Sequence, residues 1–213
     1  MAPSSTPRGS RLLPSERRDQ ILAVARQTLE KQTIDDITVE SVAGEAGVSP
    51  GLLFHYFGSQ RKFRHAILQA ASDELLTHLR PDPSLSPVEQ LRTGIETFVA
   101  YVARHPAVYR AVTRLNTGGT VRTLHSSVRA TLAGWITEAF VAADAPASPA
   151  LGMSVAGWLA YMEEVVLAWL DKPDIEQDEL IDLCERVFYQ IVMVTLDDTE
   201  QYEQLLSRMQ ERA

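Results

Sequence analysis

Residues 38–62 read TVESVAGEAGVSPGLLFHYFGSQRK, and this stretch decides the fold. Thr38 is a good N-cap for a short amphipathic helix, and Gly47 can end that helix because glycine readily adopts a left-handed conformation. Ser49 and Pro50 then predict a second short helix, with a capping hydroxyl followed by a proline at the first helical position. A short helix, a tight glycine turn and a second short helix are typical of a helix-turn-helix.

The residue types inside this stretch fit two helices that cross closely. Ala43 is small enough for the crossing, and Val48 and Leu53 are expected to face inward and fix its angle. In a helix-turn-helix protein the outer face and N-terminal end of the second helix point into the major groove of DNA. That surface would consist of Ser49, Pro50, Gly51, Leu52, His55 and Tyr56. The alternative is an ordinary helical corner, in which Leu52 and Phe54 are core residues and His55 is a solvated surface side chain.

Helical periodicity continues on both sides of the stretch. A first helix is predicted to start at Ser15, and Ile34 and Ile37 are expected to fill a small core. Ser59 is placed to cap a further helix that runs to about Leu79. The rest of the chain predicts five or six longer helices, at residues 87–104, 106–116, 121–143, 150–171 and 176–196, with a tail helix from residue 199. A loop containing Gly118 and Gly119 is expected before residue 121.

Alternating strand patterns are nearly absent, so the chain is predicted to be all-α. We expect an N-terminal three-helix helix-turn-helix head followed by a larger C-terminal helical domain. A flexible N-terminal arm is placed at residues 1–14, the head at residues 15–60 and the larger domain at residues 61–213.

Composition indicates a globular protein of a reducing compartment. The 213 residues are 45% hydrophobic and 23% charged, and the single cysteine excludes an intrachain disulfide. No apolar run reaches about 18–20 residues, so we expect a cytoplasmic protein with no membrane partner.

The net charge of −8 is unevenly distributed. Residues 1–70 hold nine Lys/Arg and seven Asp/Glu, and residues 71–213 hold eleven Lys/Arg and twenty-one Asp/Glu. This distribution permits DNA binding, because affinity depends on positive charge at the contact face.

The sequence lacks the patterns that enzymatic chemistry requires. It contains no glycine-rich phosphate loop, no paired Cys or His at metal-ligand spacing and no nucleophile elbow. Its five histidines are scattered, and Cys184 has the apolar neighbours of a buried packing residue. We therefore expect no catalytic residue, no cofactor and no metal.

The helix-turn-helix stretch resembles the TetR family of bacterial regulators over about residues 15–68. The likeness is carried by Thr38, Val42, Ala43, Ala46, Gly47, Val48, Ser49, Gly51, Leu53, Phe54, Tyr56, Phe57 and Ser59. It implies that Pro50, Gly51, Leu52 and His55 meet base edges. It also implies that Thr38, Ser49, Phe54 and Tyr56 touch phosphate or sugar. The remaining two thirds resemble the family only in helix number and length.

Two residues depart from the family pattern. Gln60 stands where many relatives carry a lysine that binds phosphate. Arg61 and Lys62 follow it directly and could make that contact in its place. Glu40 stands where some relatives use a basic residue, and a carboxylate there would be repelled by phosphate. Both departures suggest more reliance on four arginines assigned to the arm, Arg8, Arg11, Arg17 and Arg18, which could equally form a solubilising tail.

The resemblance implies that the larger domain binds a small effector. We expect a largely apolar ligand, and the candidate residues are Phe98, Tyr101, Val102, Tyr109, Leu115, Leu124, His125, Val128, Trp135, Trp158, Tyr161, Met162 and Trp169. The same residues would build any helical core, so plain packing stays open as the alternative. One of Glu163 and Glu164 could face inward as a partner for a cationic or hydrogen-bonding ligand, or both could be solvated.

The resemblance also implies that the helices at residues 150–171 and 176–196 are the dimer helices. They are apolar nearly all round, which requires burial on two sides, and a two-fold mate would supply the second. The function that the resemblance implies is that of a homodimeric regulator of double-stranded operator DNA, most simply a repressor that a small effector releases. The alternative is a helical protein-interaction module that has lost DNA binding.

Overall fold

A computed structural model of the chain describes residues 13–114, 119–145, 148–196 and 198–211, with the side chains of residues 114, 119–122 and 211 left aside. This part of the chain forms ten α-helices and no strand, which confirms the predicted all-α class. It divides into two compact units, Met1–Ile67 and Leu68–Ala213. The division falls inside a helix, seven residues later than the boundary expected from the sequence.

The first unit contains α1 (Pro14–Leu29), α2 (Val39–Glu45), α3 (Pro50–Phe57) and the start of α4 (Gln60–His78). Its core holds apolar residues of all four helices and of the α1–α2 loop: Ile21, Ala25, Leu29, Ile34, Ile37, Val42, Leu53 and Phe63. The inward positions of Ile34 and Ile37 are thus confirmed.

Helix α1 begins one residue earlier than predicted. Pro14 occupies the first helical position after Leu13, and the Glu16 carboxylate accepts the Leu13 N–H at 2.7 Å. A proline at this position costs no hydrogen bond, because the first N–H groups of a helix have no intrahelical partner. Arg17 and Arg18 therefore belong to α1 and not to the arm, which corrects the expectation. The rest of the predicted arm, with Arg8 and Arg11, lies outside the described residues.

The second unit contains the rest of α4 and six further helices, and the predicted positions of these six agree with the structure to within two residues wherever it describes them. They are α5 (Pro87–Arg104), α6 (Pro106–Arg114), α7 (Gly119–Ala142), α8 (Pro149–Asp171), α9 (Gln177–Leu196) and α10 (Thr199–Glu211). Helix α7 includes Gly119, which corrects the expectation that this residue lies in a loop, and Gly118 lies outside the described residues. The predicted continuation of α6 to residue 116 and the candidate Leu115 lie outside the described residues.

Helix α8 is central to the second unit, where it packs against α5, α7 and α9. The indole N–H of Trp158 donates to the Cys184 carbonyl at 3.0 Å, and the Phe188 ring lies 4.9 Å from the Trp158 ring. Among the described helices, α8 alone has the length and mean hydropathy of a membrane-crossing segment. Its buried Trp158 and Val166 are typical of the core helix of a globular unit, and such a helix can have the same length and mean hydropathy.

Candidate nucleic-acid interface and ligand cavity

The turn between α2 and α3 has the geometry that the sequence predicts. Gly47 has a φ of +65°, in the left-handed region, and the Val48 N–H donates to the Ala43 carbonyl at 3.0 Å. The Ser49 hydroxyl accepts the Leu52 N–H at 3.3 Å and caps α3, with Pro50 at the first helical position. These local interactions hold α3 across α2 as in a helix-turn-helix.

Helix α3 has one buried face and one exposed face. Leu53 and Phe57 are buried in the first unit, whereas the Phe54 side chain on the opposite face is 44% exposed. Pro50, Gly51 and His55 are also exposed, and Leu52 and Tyr56 are half-buried. Neither Phe54 nor Leu52 is therefore a core residue, and α3 presents a continuous surface that includes every residue expected at base edges.

The N-terminus of α2 is held by side chains of α4. The Gln60 carboxamide accepts the Val39 N–H at 2.8 Å and donates to the Ile37 carbonyl. Arg64 donates to the same Ile37 carbonyl at 3.1 Å and pairs with the Asp35 carboxylate at 3.3 Å. Gln60 thus ties α4 to α2, and both the oxygen and the nitrogen of its carboxamide are engaged in this contact.

The Thr38 hydroxyl also has a local partner. It accepts the Ser41 N–H at 3.0 Å and caps α2, as predicted. This role uses one acceptor position of the hydroxyl and keeps Thr38 at the start of α2, beside the Gln60 contact. Thr38 and Gln60 therefore organise the helix-turn-helix whatever else they contact.

Exposed cations and one exposed carboxylate lie around the helix-turn-helix. Arg61 and Lys62 are exposed at the start of α4, directly after the turn that ends α3. The guanidinium of Arg18 lies 5.4 Å from the centre of the Phe57 ring. This cation–π contact holds Arg18 beside the C-terminal end of α3. Glu40 is exposed on α2, as its place in the sequence suggested.

Two neighbouring cavities lie among the described residues of the second unit. The larger encloses about 120 Å³ and is lined mostly by apolar side chains of α5, α7 and α8. The smaller encloses about 40 Å³ between α4, α5, α6 and α7. Phe98, Leu132 and Glu163 line both cavities. Since a single water needs roughly 10–15 Å³ of such space, the larger cavity has room for a small organic molecule.

Comparison with known proteins gives the same division of the chain. A family model for bacterial regulatory proteins of the tetR family matches residues 21–67, and a tetracyclin repressor-like C-terminal domain model matches residues 87–191. The first match ends where the first compact unit ends. The chain belongs to the TetR family.

Several relatives of this TetR-family chain are themselves named regulators. The transcriptional regulator EthR of Mycobacterium tuberculosis is 35% identical over 115 residues, which are 51% of this chain and 53% of EthR. The transcriptional activator FasR of Mycolicibacterium smegmatis is 28% identical over 107 residues, 49% of each chain. The chain thus spans about half the length of the curated relatives that it matches.

Solved structures extend the likeness over nearly the whole TetR-family chain. A tetR-family transcriptional regulator from Streptomyces coelicolor has a TM-score of 0.79 at 25% identity, covering 93% of this chain and 90% of that one. The fatty acid degradation regulator FadR from Bacillus halodurans shares the fold at a TM-score of 0.64 and 17% identity, covering 86% and 97%.

The structure brings most of the candidate effector residues to one of the two cavities of this TetR-family chain. Phe98, Trp135, Trp158 and Met162 line the larger cavity. Phe98 also lines the smaller one, together with four further candidates, Tyr101, Tyr109, His125 and Val128.

Four of the described candidates line neither cavity. Val102 is completely buried in the core of the second unit, and Leu124 is buried as well. Tyr161 and Trp169 are half-buried and pack against that core. For these four residues the described positions favour plain packing over contact with a ligand.

Sequence reasoning missed much of the cavity wall. Leu91 and Ile95 on α5 and Leu132 and Ile136 on α7 line the larger cavity, as does Phe188 on α9. A signal for four of them was present. Leu91 and Ile95 lie seven and three positions before Phe98, and Leu132 lies three positions before Trp135 and four before Ile136, so each group shares one helix face. Phe188 had no such local signal.

The two glutamates of α8 face different ways. Glu163 lines both cavities, and its carboxylate lies 3.0 Å from the His125 imidazole and 3.9 Å from the Arg129 guanidinium. Glu164 is exposed. The inward carboxylate considered from the sequence is thus Glu163, while Glu164 is solvated.

Proposed function

We propose that the chain is a transcriptional regulator that binds double-stranded operator DNA through α3 and is released by a small-molecule effector, as a repressor. The observation that carries the proposal is the exposed face of α3, which ends at the exposed cations Arg61 and Lys62. The buried Leu53 and Phe57 anchor that face rigidly on the first unit. A recognition helix needs this combination, because only a fixed helix can hold side chains against base edges.

Phosphate contacts would come from the ends of the helices around α3. Arg61 and Lys62 follow the turn after α3, and Ser49 marks its N-terminal end. Such contacts position a protein on DNA without reading sequence, and each releases counterions. We expect the logarithm of the affinity to fall with the logarithm of salt concentration, with a slope of about −0.9 per phosphate contact.

A second candidate function is a helical protein-interaction module. The exposed Glu40 and the occupied Gln60 carboxamide favour it, because neither supplies the positive charge found in many relatives. A mobility-shift assay distinguishes the two functions. It uses labelled DNA from the intergenic region beside the gene. Salt-dependent retention of that DNA supports the regulator, and retention that is absent even at low salt supports the module. Arg61→Ala should reduce the salt slope by about one contact, while Gln27→Ala, an exposed change on α1, should leave it unchanged.

We also propose that the regulator is a cytoplasmic homodimer, with α8 and α9 at the two-fold axis. These helices pack against each other and still expose Met153 at 76% and Val194 at 72%. The exposed positions of α8 near Met153 are small, namely Gly152, Ala156, Gly157 and Ala160. Small residues allow a second helix to approach closely, and a dimer would bury the exposed apolar side chains.

The operator of such a two-fold dimer would be an imperfect palindrome. Sedimentation as a monomer at micromolar concentration would refute the dimer.

Effector control would act through the larger cavity. Helix α4 contributes residues to both compact units. A ligand that binds more tightly when α4 is in one position than in another can therefore change the affinity for DNA. We expect effector binding to weaken operator binding about five- to 150-fold. Trp135→Ala removes part of the cavity wall and should abolish this response. Operator binding in the absence of ligand should remain intact. Loss of the helical circular dichroism signal would instead make Trp135 a core residue.

A further inference from the structure

Polar groups gather where the two cavities adjoin. Glu163 lines both cavities, and His125 and Tyr109 line the smaller one. The Glu163 carboxylate lies 3.0 Å from the His125 Nε2 and 3.9 Å from the Arg129 Nη1. Arg129 also donates to the Ala156 carbonyl at 2.6 Å. The carboxylate therefore already has a cationic neighbour, and the pair is held in place by α7 and α8.

Tyr109 is the unsatisfied member of this group. Its side chain is only 6% exposed, and its hydroxyl is buried with no hydrogen-bond partner among the described residues. Burial, and after it the negative charge of Glu163, raise the pKa of Tyr109 above its ordinary value, so the hydroxyl keeps its proton. A buried hydroxyl without a partner is unfavourable, and a ligand atom that accepts its hydrogen bond would remove that penalty.

The charges around Tyr109 select against ions. An anionic ligand group would lie near the Glu163 carboxylate, which would repel it in a poorly solvated site. A cationic group would compete with the Arg129 guanidinium that the carboxylate already pairs with. Burying either ion without a free partner of opposite charge is costly. An uncharged acceptor avoids both penalties.

We propose that the effector is an uncharged molecule with an apolar body in the larger cavity and a carbonyl oxygen that accepts the hydrogen bond of Tyr109. The carbonyl belongs to a ketone, ester or amide. This assignment rests on the proposed effector role of the cavity and adds the chemical class of its ligand. Phe98, Leu132 and Glu163 line both cavities, so the two spaces adjoin, and a ligand that occupied both would reach Tyr109.

The test compares four probes of equal carbon number on the full-length protein: methyl octyl ketone, decanoate, decylamine and decane. Trp135 and Trp158 line the larger cavity, so tryptophan fluorescence reports binding. The ketone should bind about tenfold more tightly than either charged probe. It should also release the operator at lower concentration than either.

Substitution of Tyr109 locates the carbonyl. Tyr109→Phe should weaken the ketone about fivefold and leave decane unchanged. Tyr189→Phe is the matched control, because the Tyr189 hydroxyl is also buried without a partner among the described residues but lines neither cavity. Both substitutions remove an unpartnered hydroxyl, so both should retain or raise the melting temperature. Only Tyr109→Phe should change ketone binding.

Two results would overturn the ligand class alone: tighter binding of decanoate or decylamine than of the ketone, and ketone binding that Tyr109→Phe leaves intact. In either case the cavity would still bind a ligand and control the operator. If none of the four probes changes the fluorescence or the operator affinity, the cavity is not the effector site. That result would overturn the ligand class together with the effector part of the proposed function.

Discussion

Replacing Gln60 with alanine tests the link between α4 and α2. The substitution removes the acceptor of the Val39 N–H, at 2.8 Å, and one donor to the Ile37 carbonyl. The two losses are unequal, because Arg64 still donates to the Ile37 carbonyl at 3.1 Å. Val39 is the first residue of α2, so its N–H has no intrahelical partner to replace Gln60.

The expected cost follows from this asymmetry. Leaving one buried donor unsatisfied costs about 1–3 kcal/mol, and the contact is only partly buried, so we expect about 1–2 kcal/mol of lost stability. Gln60→Glu keeps an acceptor for the Val39 N–H at the N-terminus of α2, but it sets a carboxylate oxygen against the Ile37 carbonyl in place of the amide donor, so it should not restore the native stability. Gln69→Ala, which removes an exposed bond to Asp73 on the same helix, should stay within about 0.5 kcal/mol.

Urea denaturation measures the free energy of unfolding for the three variants. Hydrogen exchange at the Val39 amide gives a local reading that does not depend on the unfolding of the second unit. Gln60→Ala should speed exchange at this amide, and Gln69→Ala should not. If Gln60→Ala costs no more than Gln69→Ala and Val39 remains protected, the link contributes nothing and the explanation of the Gln60 position fails.

Further predictions concern two glycines of the helix-turn-helix and the Cys184 thiol. Gly47→Ala should destabilise by about 1–2 kcal/mol because φ is +65°, although no residue beyond its two chain neighbours has an atom within 4 Å of the added Cβ. Gly44→Ala, equally unobstructed but inside α2, should instead stabilise by about 0.5–1 kcal/mol, and equal effects in urea denaturation would contradict the turn geometry. Burial raises the pKa of the Cys184 thiol to about 11, so Cys184 should resist iodoacetamide at pH 8 unless urea is added. The raised value favours the neutral thiol, so its contribution to stability should be complete below pH 9 and be lost as the pH rises towards 11.

Local chemistry made the helix-turn-helix predictable. The caps at Thr38 and Ser49 and the turn at Gly47 depend on atoms within about four residues, and all three are confirmed. The role of Gln60 was not predictable, because its partners are 21 and 23 positions away in the chain. Such a contact depends on how α4 packs, and no local pattern encodes that packing.

The cavity could be predicted only in part for a related reason. Val102 follows Phe98 by four residues and shares its helix face, yet Phe98 lines both cavities and Val102 is buried in the core. One helical turn moves a side chain about 5.4 Å along the axis, which is enough to pass the end of a small cavity. Periodicity identifies the inward face of α5, and only the packing of the neighbouring helices decides where on that face a space remains.

The central claim is that the exposed face of α3 reads operator sequence, and one measurement tests it directly. Fluorescence anisotropy at fixed salt would compare the native protein, Tyr56→Phe and His55→Ala on a panel of operators that carry single changes in one half-site. Tyr56→Phe should weaken every operator by the same factor, about fivefold, because a backbone contact carries no sequence information. His55→Ala should change the order of preference among the operators. If His55→Ala leaves both the affinities and their order unchanged, α3 does not read base edges through this residue, and its assignment as the recognition helix is contradicted.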